Sequence, residues 1–321
     1  MRISPAVPGA RILGLGEYQP ATVVTNADLA ARMDTSDEWI RTRVGIRSRR
    51  IAGPTESVAD MAVIAGGKAL AAAGLDPTDV DLVIVATCTM PSPIPHAAAQ
   101  VAARLGIPAP GAYDLNAACA GFVYGLTAAA SAVTSGAANR VLLVGAEKLS
   151  DWVDRDDRST AIIFADGAGA AVVGPAATED EVGIGPVVWG STGEQVDLIR
   201  IADRNSYLWQ EGQAVFRWAT TALAPVAVEA CRRAGIAPTD LAAFVPHQAN
   251  LRIIEAIARR LGAAGVPVAD DIVDAGNTSS ASIPLALARM AARGDVRPGD
   301  PVLLLGFGAG LTYAGQVVLC P

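Results

Sequence analysis

The sequence predicts an α/β fold made of two copies of one unit, and two observations carry that reading. Apolar, strand-like runs alternate with helical stretches along most of the chain, which implies sheets covered on their faces. In addition, "AGLDPTD" at 73–79 returns as "AGIAPTD" at 234–240 with five of seven positions identical, and "VLLVG" at 141–145 returns as "VLLLG" at 302–306. Both pairs are offset by 161 residues. One match would be weak, because A-G-x-x-P is a common helix-to-strand turn. Two in the same register imply a duplication, with halves 1–175 and 176–321.

In the first half, "ESVADMAVIAGGKALAAAG" (56–74) reads as a helix and "VDLVIVATC" (80–88) as a buried strand; residues 119–135 form the next helix, before strand "RVLLVGA" (140–146). In the second half, helices over 213–234, 250–261 and 279–293 interleave with strands "LAAFVPH" (241–247) and "PVLLLGFG" (301–308). The offset sets Ser280 in the place of Cys119 and His247 in the place of Ala86, with Asn277 just ahead of Ser280. Cys119, His247 and Asn277 then all fall at strand ends or helix starts around one pseudo-two-fold axis. Ligand sites in sheet proteins favour such termini.

Composition narrows the function. Of 321 residues, 51% are hydrophobic and 18% charged, so a large core is affordable and disorder is not expected. A net charge of −7 argues against a nucleic-acid partner, which needs a dominant basic field. The cysteines are Cys88, Cys119, Cys231 and Cys320; none forms a C-x-x-C pair, and two histidines leave a zinc site almost without ligands. The start, "MRISPAVPGARILGLG", lacks the long apolar core of a signal peptide, so a reduced, cytoplasmic setting is expected. The charge-free run from Leu115 to Asn139 is long enough to span a bilayer, but Asn116, Thr127, Ser131, Thr134 and Ser135 interrupt it and flanking anchors are missing. A helix buried inside a layered protein is expected instead.

Cys119 opens that run between Ala117, Ala118, Ala120 and Gly121, small residues that leave room for a ligand. At a helix start, unpaired N–H groups and the macrodipole stabilise a thiolate, so a lowered pKa is expected. Alone, a cysteine is equally at home as a small core residue, His247 as a structural histidine, and Asn277 as a turn or cap residue. His96, in "MPSPIPHAA", reads as a helix-start residue with no partner implied. "GFGAG" and "DGAGA" do not complete G-x-G-x-x-G, so no dinucleotide site is expected.

Together, "DLNAACAGF" (114–122), "VPHQANLRII" (245–254) and "GNTSSASIPLAL" (276–287) resemble the active-site motifs of the β-ketoacyl-acyl-carrier-protein synthase III family, within the thiolase-like superfamily. The resemblance extends over "TSDEWIRTRVGIRSRR" (35–50), "DRSTAIIFADGAGAAVV" (157–173), "EGQAVFRWA" (211–219) and "GFGAGLTYAGQ" (306–316). It implies a thiolase-like, five-layered α-β-α-β-α fold. It also implies a decarboxylating condensation: Cys119 takes an acyl group from an acyl-CoA, and His247 and Asn277 hydrogen-bond a malonyl-acyl-carrier protein thioester whose loss of CO₂ yields the attacking enolate. No permanently bound cofactor is implied, coenzyme A thioester being substrate, and no strong base is needed, in keeping with motifs that carry no carboxylate for it.

By the same resemblance, backbone N–H groups of Cys119 and Ala309 form the oxyanion hole; Ala309 stands where relatives commonly have glycine, which leaves the N–H intact. Trp39, Arg43, Arg158 and Gly212 are implied in CoA binding, and Leu149 and Phe216 in lining the tunnel. Arg252, extended by Arg259 and Arg260, is implied in gripping the acidic carrier protein. Most of the five arginines from Arg41 to Arg50 read as solvated. Ile94 matches the position that closes the acyl pocket across a homodimer interface; being smaller than phenylalanine, it implies primers larger than acetyl. A priming ketosynthase of an aromatic polyketide pathway would use the same triad. A thiolase would need a second catalytic cysteine, for which Cys320 is badly placed, and a non-catalytic scaffold or chain-length subunit would usually lack the nucleophile.

Overall fold

The structure, a computed structural model, describes residues 7–321; the first six residues of the stretch read above for a leader lie outside the described residues. The strands are β1 (Ala10–Tyr18), β2 (Thr22–Thr25), β3 (Ser48–Ile51), β4 (Leu82–Ala86), β5 (Gly111–Leu115), β6 (Val141–Lys148), β7 (Asp166–Pro175), β8 (Val188–Ser191), β9 (Ile199–Arg200), β10 (Trp209–Gln210), β11 (Ala243–Pro246), β12 (Pro301–Gly308) and β13 (Thr312–Leu319). The helices are α1 (Asn26–Ala30), α2 (Asp37–Val44), α3 (Val58–Ala73), α4 (Ala97–Leu105), α5 (Gly121–Thr134), α6 (Gly212–Arg233), α7 (Leu251–Leu261), α8 (Ile272–Ala275) and α9 (Ser282–Arg293).

Two sheets repeat one order. The first runs β1-β7-β6-β4-β5 and the second β8-β13-β12-β11, so β8, β13, β12 and β11 stand in the places of β1, β7, β6 and β4. A parallel bridge from Phe244 to Val268 takes the position that β5 holds in the first sheet. In each sheet a parallel pair, β4 with β6 or β11 with β12, adjoins an antiparallel one, β6 with β7 or β12 with β13. Such parallel strands need both faces covered, and they read as continuous apolar runs: every residue of β6 is buried. Helices α3 and α4 cover the first sheet, α6 and α7 cover the second, and α5 and α9 lie between the sheets. The five-layered α-β-α-β-α fold is the one the sequence implied.

Local chemistry sets the element ends. Ser57 and Asp60 make a capping box at the start of α3, and left-handed Gly74 ends it. His96 precedes helix α4 and its side chain makes no cap; the Asp114 carboxylate, on the neighbouring strand, accepts from the N–H groups of Ala97 and Ala98 at 2.7 and 2.8 Å. The strand expected over 80–88 stops at Ala86, because Thr87, Cys88 and Thr89 turn aside to bond the Glu147 carboxylate.

Two glycines related by the 161-residue offset let the halves approach. A Cβ on Gly145 of β6 would stand 2.5 Å from the Ser280 carbonyl oxygen, and one on Gly306 of β12 would stand 3.0 Å from Ala120 Cα. Each half thus presents a bare strand to the other half's helix start. That close approach brings Cys119 and the 277–280 segment to one place.

Candidate active site

Cys119 sits in a 3-10 turn, Ala118–Ala120, that leads directly into α5; Ala118 takes a left-handed φ of 45°. Gly308, at the end of β12, lies against it: a Cβ there would fall 2.7 Å from Cys119 Cβ and 3.0 Å from its sulfur. The expected fall in thiol pKa is not what the structure gives. Burial pushes Cys119 up to about 11, against opposing help from the Ser279 hydroxyl and from the N–H groups of Cys119 and Ala309, with the charge of Glu147 also raising it. Loss of hydration outweighs the helix start because Gly308 of the second half packs against the sulfur, leaving it half-buried on the cavity wall. Its resting form near neutral pH is the thiol.

His247 follows β11 and is 2% exposed. Its Nδ1 lies 2.7 Å from the Ser282 hydroxyl oxygen, and that oxygen also accepts from the Gln248 N–H at 3.3 Å. Among the described residues Nδ1 is the one acceptor bonded to this buried hydroxyl, so Ser282 donates to Nδ1, which assigns the proton of the neutral ring to Nε2. Burial pushes this imidazole down to about 3, so it is neutral near pH 7. Phe307 packs edge-on against it at 5.2 Å between ring centroids.

Asn277 is fixed on both sides of its backbone: its N–H donates to the Ile163 carbonyl at 2.9 Å, and its carbonyl accepts from Ala165 at 2.9 Å. Its Oδ1 accepts from the Ser279 N–H at 2.9 Å and its Nδ2 donates to the Ala249 carbonyl at 3.4 Å, which fixes the carboxamide orientation and leaves the second Nδ2–H as a donor.

One cavity of about 1020 Å³ gathers Cys119, His247, Asn277 and Ala309. Trp39, Arg43, Leu149, Arg158, Gly212, Phe216 and Arg252 line it as well. The Arg158 guanidinium lies 4.7 Å from the centre of the Trp39 ring, and that of Arg252 lies 5.3 Å from the Phe216 ring. Ile94, expected at a partner's acyl pocket, and Arg259 and Arg260, expected on a carrier-protein face, lie outside this cavity. Ile94 is 79% exposed on the loop before α4. Arg259 and Arg260 lie farther along α7, where Arg259 faces Glu255 at 3.8 Å and Arg260 donates to the Thr220 carbonyl.

Some residues around the site were not legible in the motifs. Glu147 is fully buried and accepts hydrogen bonds from Thr87, Cys88, Thr89 and Ser279. A charged residue inside the apolar run "VLLVGAEKLS" was the available signal. Arg49 departs from the solvated arginine cluster: it is 1% exposed, bonds Asn26 Oδ1 and the Ile162 carbonyl at 2.8 Å each, and burial pushes it down to about 10. Asn26 in turn bonds Asp37, the first residue of α2, so Arg49 ties the helix bearing Trp39 and Arg43 to the cavity wall.

A family model described as 3-oxoacyl-[acyl-carrier-protein] synthase III matches residues 113–193, and its C-terminal counterpart matches 231–320. β-Ketoacyl-[acyl-carrier-protein] synthase III 4 of Streptomyces coelicolor is 58% identical over 313 residues, covering 98% of this chain and 99% of that one. The chain belongs to the β-ketoacyl-acyl-carrier-protein synthase III family. It is therefore a condensing enzyme of the acyltransferase type, with the thiolase-like fold. Among solved synthase III structures, that from Aquifex aeolicus VF5 superposes with a TM-score of 0.93 at 41% identity, covering 97% of this chain and 100% of the other. The priming β-ketosynthase of a polyketide biosynthetic pathway superposes with a TM-score of 0.96 at 46% identity, covering 100% and 98%. Among the described residues no helix is long and apolar enough to cross a membrane.

Proposed function

We propose that this synthase III joins an acyl-CoA primer to malonyl-acyl-carrier protein through an acyl-Cys119 intermediate, beginning fatty-acid synthesis. The carrying observation is the single cavity that holds Cys119, His247 and Asn277 and opens past the Trp39–Arg158 stack. In the first step the Cys119 sulfur bonds the acyl carbon, the thioester bond to CoA breaks, and the thiol proton leaves with CoA. Backbone N–H groups of Cys119 and Ala309 receive the oxyanion; one such donor supplies ~2.7–4 kcal/mol of transition-state stabilisation in comparable sites. In the second step the malonyl C–C bond breaks, CO₂ departs, and the electron pair forms an enolate held by His247 Nε2–H and Asn277 Nδ2–H. That carbon attacks the acyl-cysteine, and the freed thiolate takes a proton from solvent.

Trp39, Arg43, Arg158 and Gly212 bind CoA in this reading, its adenine against the Trp39 face, and no other cofactor is required. Leu149 and Phe216 flank the acyl chain, while Arg252, with Arg259 and Arg260, receives the acidic carrier protein. A homodimer fits the edge position of β5, with Tyr113 and Ile94 exposed beside it, and Ile94 then closes the partner's acyl pocket. The equal strand orders support duplicated halves at 1–175 and 176–321. Four free cysteines suit the cytoplasm. Intact mass after mixing with a panel of acyl-CoAs tests the reading: the protein gains one acyl group, Cys119→Ala gains none, and branched primers larger than acetyl react well. No mass gain from any acyl-CoA sinks it and favours a scaffold subunit. The likeness to a priming β-ketosynthase favours polyketide priming as the second reading, which condensation with that pathway's carrier protein, and not the fatty-acid one, would establish.

A further inference from the structure

The two proposed oxyanion donors belong to different halves. The Cys119 N–H lies in the 3-10 turn ahead of α5, and the Ala309 N–H in the hairpin that joins β12 to β13. Bonds within each half shape its own turn, but the spacing between the two N–H groups depends on what spans the halves. Gly308 packs against Cys119. A polar tie comes from Thr312, the first residue of β13, which pairs with Gly308 across the hairpin. Its hydroxyl oxygen lies 3.0 Å from the Ala309 carbonyl oxygen and 3.3 Å from the Ala117 carbonyl oxygen. One hydroxyl proton therefore faces two acceptors, one in each turn. The Ala117 carbonyl stands one peptide before the Cys119 N–H, and the Ala309 carbonyl one peptide after the Ala309 N–H.

The duplication shows what this hydroxyl is not for. The related turn of the second half, Thr278–Ser280, has the same left-handed residue, Ser279 at φ 50° against Ala118 at 45°. Its Thr278 carbonyl accepts from the Ala281 N–H at 3.0 Å, as the Ala117 carbonyl accepts from the Ala120 N–H at 3.1 Å. Among the described residues no side chain donates to the Thr278 carbonyl. Such a turn thus forms without a clasp, and of the two it is the one carrying the nucleophile that has it. Thr312 is not among the residues lining the cavity, and among the described residues its hydroxyl makes no bond to His247 or Asn277.

We infer that Thr312 is a positioning residue for acyl transfer: its hydroxyl clasps the Ala117 and Ala309 carbonyls and so sets the spacing of the Cys119 and Ala309 N–H groups that receive the oxyanion. The inference rests on the acyl transfer proposed above.

Thr312→Val keeps the branched shape and removes the proton, whereas Thr312→Ser keeps the hydroxyl. Single-turnover acylation, followed by intact mass with an acyl-CoA, should fall roughly ten- to a hundred-fold in Thr312→Val, as loosening of positioned donors does, and stay within about threefold in Thr312→Ser. CO₂ release from malonyl-acyl-carrier protein, which falls to His247 and Asn277, should change about threefold or less in both. The acyl-enzyme supplies a direct readout of the donors. With a primer carrying ¹³C at its carbonyl, the infrared carbonyl band of acyl-Cys119 should move to higher frequency in Thr312→Val, because weaker hydrogen bonds polarise that carbonyl less. Unchanged acylation, equal loss of both half-reactions, a loss in Thr312→Ser as large as in Thr312→Val, or an unmoved carbonyl band each overturns the inference. If Thr312→Val does not fold, Thr312→Ala against Thr312→Ser makes the same comparison. Failure of the wild type itself to acylate would instead overturn the proposed function.

Discussion

Ser282 stands at the first turn of α9 with its hydroxyl 2.7 Å from His247 Nδ1, so the second half's own helix start selects the imidazole tautomer. Ser282→Ala removes the donor that holds the proton on Nε2. CO₂ release from malonyl-acyl-carrier protein should fall about tenfold or more, with Cys119 acylation nearly unchanged. Parallel single-turnover assays check this, and equal losses would assign Ser282 to packing alone.

The buried imidazole also fixes an acid limit. Its native pKa is down at about 3, against 6.5 for an ordinary histidine, so between those values the unfolded chain binds a proton that the native site refuses. The stability it contributes is complete above about 6.5 and is lost as pH falls from there toward 3. Urea unfolding across that range should show stability falling with acid, and His247→Gln should flatten part of the slope.

Cys119 should behave as a thiol whose reactivity climbs with pH. With burial holding it up at about 11, the rate of alkylation by iodoacetamide should rise through the alkaline range without a plateau short of that value. A plateau below neutral pH would mean that the helix start outweighs burial.

Gly145 and Gly308 tolerate no side chain, for different reasons. Gly145→Ala drives a methyl to 2.5 Å from the Ser280 carbonyl oxygen and should cost ~1–3 kcal/mol of stability by chemical unfolding. Gly308→Ala meets Cys119 itself at 2.7 Å and should suppress acylation. Gly212→Ala, with nothing within 4 Å, should leave stability within about 0.5 kcal/mol.

Trp39 and Arg158 form a preassembled stack at 4.7 Å, with Arg158 also bonded to the Asp34 carbonyl at 2.7 Å. Trp39→Ala should weaken acyl-CoA binding by ~0.5–2 kcal/mol, raising KM with little change in kcat. Steady-state kinetics at varied acyl-CoA would show it.

The sequence by itself determined the alternation of strands and helices, the 161-residue offset, and the places of Cys119, His247 and Asn277 at element ends. These were legible because apolar period, turn residues and repeated motifs are local signals. Contact across the halves decided the rest. The Cys119 pKa turned on how much water the opposing half excludes, which no local pattern encodes, and the helix-start argument alone gave the wrong direction. Arg49 belongs by sequence to an exposed basic cluster and by structure to the core, because Asn26 and Ile162 converge on it. Glu147 gained its partners only when Thr87–Thr89 and Ser279–Ser280, nearly 200 residues apart, folded onto one carboxylate. Electrostatics in a buried site depends on distances between segments, and only the packed chain sets those.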